Sequence, residues 1–350
     1  MPLSFPTLPS LLSHGFDTLI DVRSPAEYAM DHIPGAINLP ALNNAERAEV
    51  GTIYKQVSAF NARKVGAAKL ARNVAAHVEG PLAGHDGAWR PLVYCWRGGQ
   101  RSGAFATILQ QIGWRADTIA GGYRSYRRLV SAALYDTALP YRLILLDGYT
   151  GTAKTEILQL LQRRAIQVID LEGIANHRGS LLGGQGEQPT QKAFESRLAQ
   201  AIMTLDPARP VVVEAESSKV GAVTLPPMLW QAMCAAPRLE ICAPPAARAD
   251  WLLSAYADMI ADPAQLKARL QPLRLHRPAP VVDNWLGLID RGDFRALALA
   301  LMAEHYDPAY AKSRRQNFPV RAGGVQVTAL DRLGREDTAD RLAALIATMP

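Results

Sequence analysis

Short runs rich in β-branched and apolar residues recur along the chain: TLIDV at 18–22, LVYC at 92–95, DTIA at 117–120, RLILLD at 142–147, IQVID at 166–170, PVVVEA at 210–215 and RLEICA at 238–243. Most are separated by stretches of helical periodicity, and strands alternating with helices specify parallel sheets covered on both faces. At 350 residues the chain has room for two such α/β units. The segment SAALYDTALPYR at 131–142 ends a helical stretch, carries a proline and precedes a strand. A boundary is therefore expected near 138, giving domains 1–138 and 139–350. From about residue 245 the pattern changes to Ala- and Leu-rich amphipathic stretches, at 250–270 and 291–314. These predict a helical C-terminal part, closed by a further strand or loop and a last helix.

Hydrophobic residues at 49% and charged residues at 20% exclude a disordered or low-complexity chain. No apolar run approaches the roughly 20 residues of a membrane-spanning helix, and the start MPLSFPTLPSLLSHGF lacks the basic flank of a secretory signal. A cytoplasmic protein with no membrane partner is the expectation. Cys95, Cys234 and Cys242 cannot build a disulfide framework and form no zinc-type CxxC pair. The net charge, 38 − 32 = +6, permits an anionic partner. Arg124, Arg127 and Arg128 cluster within five residues, and Arg314, Arg315 and Arg321 lie near Lys312. Either cluster reads as a nucleic-acid patch or as an ordinary solvated face, and charge alone does not choose.

The string LVYCWRGGQRSGAFATILQQIGW sets Cys95 at a strand end, then a glycine turn, then a helix. That position is expected to expose the sulfur. Gly98 and Gly99 let successive N–H groups point inward, Arg101 adds a cation, and Ser102 is placed to cap the helix. Such a nest, with Trp96 and Arg97 in the loop, favours a nucleophilic thiolate at Cys95. Cys234 and Cys242 lack such surroundings and read as buried small hydrophobes.

In the second half, RLILLD runs into GYTGTAKTEILQLL, a phosphate-loop pattern in its required strand–turn–helix context. Gly148, Thr150 and Gly151 form the cradle, Lys154 reaches phosphate oxygens, and Thr155 is the one candidate to hold magnesium. Ala153 stands where such loops usually carry glycine, which favours binding of a di- or triphosphate over ordinary ATP turnover. Glu214 and Glu216 end the strand PVVVEA and its following turn, as metal- or water-orienting acids or as partners of arginines. Asp170, Glu172, His177 and Arg178 crowd a glycine-bounded stretch and are candidate substrate contacts.

The residues LIDVRSPAEYAMDHIPGAINLP, the Cys95 loop and IAGGYRSYR occur in the order of a rhodanese domain, which residues 5–130 resemble. Rhodaneses carry sulfur as a persulfide on the loop cysteine, and Asp21, Arg23 and Glu27 read as structural ties within that fold. Adding DLEGIANHRGS at 170–180, QPTQKAFE at 188–195, the Glu-x-Glu-Ser-x-x-x-Gly string at 214–221 and HYDPAY at 305–310, the chain is similar nearly end to end to the tRNA 2-selenouridine synthase family. The resemblance implies a transferase that replaces sulfur by selenium in wobble 2-thiouridine of tRNA. Its co-substrates would be selenophosphate and geranyl diphosphate, with an S-geranyl intermediate. Cys95 would serve the selenium step, and residues 148–155 would cradle the diphosphate. The segment 55–70 also resembles the family around Gly66, implying a lid over the rhodanese loop. Two other readings of the residues stay open: a phosphatase- or arsenate-reductase-like enzyme with a fused kinase-like partner, and a non-catalytic tRNA-binding or sulfur-carrier module in which Cys95 ferries persulfide to another enzyme.

Overall fold

The computed structural model describes residues 2–349 except Gly98, Thr137, Ser180, Leu181, Gln185 and Pro319. The chain forms two compact units, Met1–Thr137 with Pro189–Met203, and Ala138–Gln188 with Thr204–Pro350. The first division in the chain lies between residues 137 and 138. The stretch 189–203 departs from the expectation by grouping with the first unit.

The first unit is built on a parallel four-stranded sheet. In chain order its elements are α1 (Leu8–Leu12), β1 (Thr18–Asp21), α2 (Pro25–Met30), β2 (Ala36–Asn38), α3 (Asn44–Gln56) and α4 (Ala59–Glu79). These are followed by β3 (Pro91–Tyr94), α5 (Gln100–Ile112), β4 (Asp117–Thr118) and α6 (Gly122–Ser131). The strands lie in the order β2-β1-β3-β4. β1 and β3 are central, so they read as apolar runs buried on both faces. Ile20, Val93, Phe105 and Leu109 form the core between sheet and helices. At the end of β1, Arg23 and Asp21 form a buried ion pair, 2.6 Å at its shortest, and Arg23 also donates to the Asp31 carbonyl. This holds Asp21 and Arg23 in the tying role expected of them.

The second unit carries β5 (Leu143–Gly148), α7 (Lys154–Arg163), β6 (Gln167–Ile169) and α8 (Leu171–Ala175). Its chain then passes through α9 (Gln191–Met203), the helix of the first unit, before returning as β7 (Val211–Glu214). The short hairpin β8 (Lys219–Val220) and β9 (Val223–Thr224), α10 (Pro227–Ala235) and β10 (Arg238–Cys242) follow. From Pro245 the chain is helical: α11 (Pro245–Ala255), α12 (Ala257–Ile260), α13 (Pro263–Leu270), α14 (Ala279–Asp290), α15 (Phe294–Leu301) and α16 (Asp307–Asn317). β11 (Arg321–Gln326) and α17 (Arg332–Thr348) close it. The sheet is parallel in the order β11-β10-β5-β7-β6, with β5 at its centre. The C-terminal helices have their own core around fully buried Trp285, whose indole N–H donates to Glu304 at 2.7 Å. Among the described residues no helix is long and apolar enough to cross a membrane.

Candidate active sites in the two units

In the first unit, β3 delivers Cys95 to a loop that opens α5. The sulfur is not exposed as expected: Cys95 is 4% accessible and sits at the floor of the loop. Ser102 does not cap α5 either. Gly99 occupies the cap position, and the Ser102 hydroxyl donates to the Cys95 sulfur at 3.2 Å. Burial pushes the thiol up, but donors at Ser102 and Gly99 and the charge of Arg101 outweigh it and leave Cys95 more acidic than an ordinary cysteine. Arg101 is anchored by Glu27 at 2.8 Å, and Glu27 also accepts from the Ser24 N–H at the start of α2. Glu27 therefore reaches beyond its own helix to orient the loop arginine. Behind the loop, the Tyr123 and Arg124 N–H groups donate to the Cys95 and Trp96 carbonyls at 2.9 and 3.1 Å. Gly121 makes this approach possible: it has φ +70°, and a Cβ there would stand 2.1 Å from Ser125 Oγ. Arg97 is exposed, and Gly98 lies outside the described residues.

The two arginine clusters divide. Arg124 and Arg128 are exposed. Arg127 is instead held by Asp31, Glu195, Ser196 and the Lys192 carbonyl, which fastens α9 to α6. Arg314 is buried and pairs with Asp147 at 2.8 Å and Glu240 at 2.9 Å. Both are corrections to the nucleic-acid candidates, because each guanidinium already neutralises buried carboxylates. Arg315 and Lys312 are exposed, and Arg321 pairs with Glu240 at 3.2 Å. Cys234 and Cys242 are half-buried rather than buried, and burial pushes both thiols up, so neither resembles Cys95.

In the second unit, the phosphate loop joins β5 to α7 at the carboxyl end of the central strand, where ligands of open parallel sheets bind. Lys154 Nζ donates to the Gly148 carbonyl at 2.9 Å and lies 5.3 Å from the Tyr310 ring centre. Thr155 donates to Glu172 at 2.6 Å. Ala153 sits in the left-handed region at φ 58°, the conformation that explains why glycine is usual there. Gly151 has φ +84°, and an added Cβ would stand 3.0 Å from the Arg248 carbonyl. Arg248, paired with Asp307 at 2.6 Å, donates to the Thr150 carbonyl at 2.8 Å and braces the loop from outside.

A polar cleft of about 1140 Å³, its open mouth included, brings together Thr150, Gly151, Lys154, Thr155, Asp170, Glu172 and Arg178. Asp170 also caps α8 by accepting from the Gly173 N–H, and Arg178 pairs with Asp258 at 3.2 Å. His177 does not line this cleft; its ring accepts from the Gly179 N–H at 3.1 Å. Among the described residues, neither Glu214 nor Glu216 makes the arginine pair that was one expectation. Glu214 accepts from the Leu171 N–H at 2.8 Å. Glu216 is buried, and burial together with the neighbouring Glu172 charge pushes it up to about 8. Among the described residues, no group of three or more His, Cys, Asp or Glu is arranged to hold a metal ion.

A second cavity, about 560 Å³ with its open mouth included and almost wholly apolar, shares Thr150, Leu252 and Tyr256 with the cleft. Its further walls include Met259, Phe294, Leu297 and Leu301 from α12 and α15. The sequence reading missed this chamber and Arg248, and it met Tyr310 only as the last residue of HYDPAY, with no role assigned. Helical periodicity marks apolar faces as core and does not distinguish a lined cavity.

Comparison with known proteins agrees with both halves. Residues 6–129 match the rhodanese-like domain, and residues 141–275 match the tRNA 2-selenouridine synthase AAA domain. A tRNA 2-selenouridine synthase from Nitrosomonas eutropha is 35% identical over 73% of this chain and 67% of its own length. The chain belongs to the tRNA 2-selenouridine synthase family. Synthases from Pseudomonas syringae pv. syringae and Chromohalobacter salexigens are each 37% identical to it. These matches cover 63% and 69% of this chain, and 60% and 66% of the respective relatives. The chain thus spans about two thirds or less of the length of these family members.

Proposed function

We propose that this family member replaces the sulfur of wobble 2-thiouridine in tRNA by selenium from selenophosphate, through S-geranyl-2-thiouridine formed from geranyl diphosphate. The observation that carries the reading is the apolar chamber beside the phosphate loop. A diphosphate bearing a short hydrocarbon tail needs an anion cradle and an adjoining dry pocket, and these two cavities share a wall. A nucleoside in the chamber would lose the solvation of its polar edges without replacement.

In the first step the thiouridine sulfur attacks C1 of the geranyl group. The C1–O bond breaks, pyrophosphate leaves with its electron pair, and the N3 proton is lost to solvent, giving a neutral S-geranyl base. Lys154 and the N-terminal end of α7 balance the charge growing on the departing pyrophosphate. Thr155 would hold a magnesium ion should the diphosphate bring one, and no step depends on it. In the second step the selenium of selenophosphate adds at C2, and geranylthiolate departs with the electrons of the C–S bond and takes up a proton. Water then attacks phosphorus and the Se–P bond breaks, which releases inorganic phosphate, leaves the bonding electrons on selenium and returns a proton to N3. The acidic Cys95, the Gly99 N–H and Arg101 offer the selenium donor an anion nest.

Filling the chamber tests the carrying observation. Ala298→Trp, at a position lining it, is expected to abolish geranylation of thiolated RNA while leaving conversion of pre-geranylated RNA intact. Nucleoside mass spectrometry reads both. Geranylation at the wild-type rate would overturn the assignment.

A further inference from the structure

We propose that the helical pair α3–α4 grips the unpaired anticodon loop of the RNA, and that the cavity at its base receives one splayed-out nucleotide beside the Cys95 loop. The inference rests on tRNA being the substrate and adds where it is held.

A parallel crossover needs only about a dozen residues, yet β2 and β3 are joined by helices of 13 and 21 residues. α3 contributes no buried residue, so packing of the sheet does not account for it. Where the pair turns, Tyr54, Val57 and Phe60 are 62, 66 and 69% exposed. Large side chains left together in solvent mark a binding surface. The charge around them selects the partner. Residues 44–79 hold six Lys and Arg (47, 55, 63, 64, 69, 72) against three Glu (46, 49, 79), so 6 − 3 = +3. Exposed aromatics interleaved with basic residues suit unpaired nucleic acid, whose bases stack on rings while phosphates meet the cations.

The cavity has the same character. Its floor is Leu42, Val50, Ala62 and Leu70, and its rim carries Arg47, Arg63 and Arg101. Among the described residues no Asp or Glu lines it. One carboxylate, Glu27, stands behind the rim, 2.8 Å from Arg101 and 3.9 Å from Arg47. Three guanidinium groups against one carboxylate leave the rim positive. The cavity measures about 880 Å³ with its open mouth, and Gly66 lies on its α4 wall. A base on the apolar floor with its phosphate at the rim would lie against Gln100 and Arg101, the first residues after the Cys95 loop.

The test uses the full chain, a fluorescein-labelled anticodon stem-loop carrying 2-thiouridine, and a fully paired duplex of equal length. Tyr54→Ala with Phe60→Ala is expected to weaken stem-loop binding about tenfold or more and to leave duplex binding unchanged. Arg47→Ala with Arg63→Ala should flatten the slope of log affinity against log salt by about 1.4, roughly 0.7 for each lost phosphate contact. The positions are exposed, so an unchanged thermal midpoint and unchanged Cys95 alkylation check the fold. Wild-type affinity and slope in both variants would overturn the placement while the tRNA reading stands. Equal losses on stem-loop and duplex would overturn it too, since stacking on unpaired bases would then be absent. Failure of the wild-type chain to bind any stem-loop would remove the tRNA reading and the proposal with it.

Discussion

Burial and hydrogen bonding act in opposite directions on the Cys95 thiol, and the second prevails. Desolvation alone makes a thiol less acidic, so the low value depends on the donors rather than on the site being generally polar. Among the described residues the Ser102 hydroxyl makes the only side-chain hydrogen bond to the sulfur, at 3.2 Å. The thiolate fraction, and with it the rate of alkylation by iodoacetamide, should rise with pH at a midpoint below the 9.0 of an ordinary cysteine. Ser102→Ala should move that midpoint upward, because the burial cost remains while a donor is lost. A midpoint that stays put in the variant would assign the acidity to the backbone and Arg101 alone. The loop that sets Cys95 among donors was legible in the sequence, since Cys, two glycines and Arg-Ser at a strand end leave few other uses. The direction of the Ser102 side chain was not, because capping and donation to sulfur ask for the same residue at neighbouring positions.

Helix α9 separates what a sequence reveals about an element from what it conceals. The spacing of Phe194, Leu198, Ala199 and Ile202 marks a buried face, but periodicity does not name the unit against which a helix packs. Its polar residues carry that information only in three dimensions. Glu195 and Ser196 meet Arg127 of α6, and Ser196 donates to buried Asp31 at 3.0 Å. Burial pushes the Asp31 carboxyl up despite hydrogen bonds from Tyr123 and Ser196 and the charges of Arg127 and Arg23, a sign that its ionised form needs every partner. Arg127→Ala should therefore destabilise the first unit by about 2–4 kcal/mol, as expected on removing one side of a largely buried pair. Arg124→Ala and Arg128→Ala, at exposed positions, should stay within about 0.5 kcal/mol. Urea unfolding of the three variants checks the contrast, and equal stabilities would release Arg127 from the clamp. The strands were the most legible elements, because central parallel strands are continuous apolar runs. β11, with the sequence RAGGVQ, was foreseen only as a strand or a loop, since an edge strand has one neighbour to satisfy and little apolar surface to hide.

At the scale of the whole molecule, two units each carry a cavity, a loop at a strand end and a reactive cation or thiol, but their chemistries differ. The second unit offers an anion cradle and an apolar chamber, which in the proposed function would serve departure of a prenyl diphosphate. The first offers an acidic thiol in an anion nest, which in the proposed function would serve arrival of selenium. If each step belongs to one unit, each can be removed alone. Cys95→Ala should accumulate geranylated RNA without selenouridine, and Lys154→Ala should leave thiouridine unchanged when geranyl diphosphate is the only prenyl source. Both variants keep one intact site, so the product of the first is the substrate of the second. A mixture of the two should restore selenouridine from thiolated RNA, selenophosphate and geranyl diphosphate. Its onset should lag, because geranylated RNA must leave one chain and bind another. Time-resolved nucleoside mass spectrometry follows both species. A mixture that makes no selenouridine, while the Cys95→Ala chain still geranylates, would mean that Lys154 also acts in the selenium step and that the division of labour between the units is wrong.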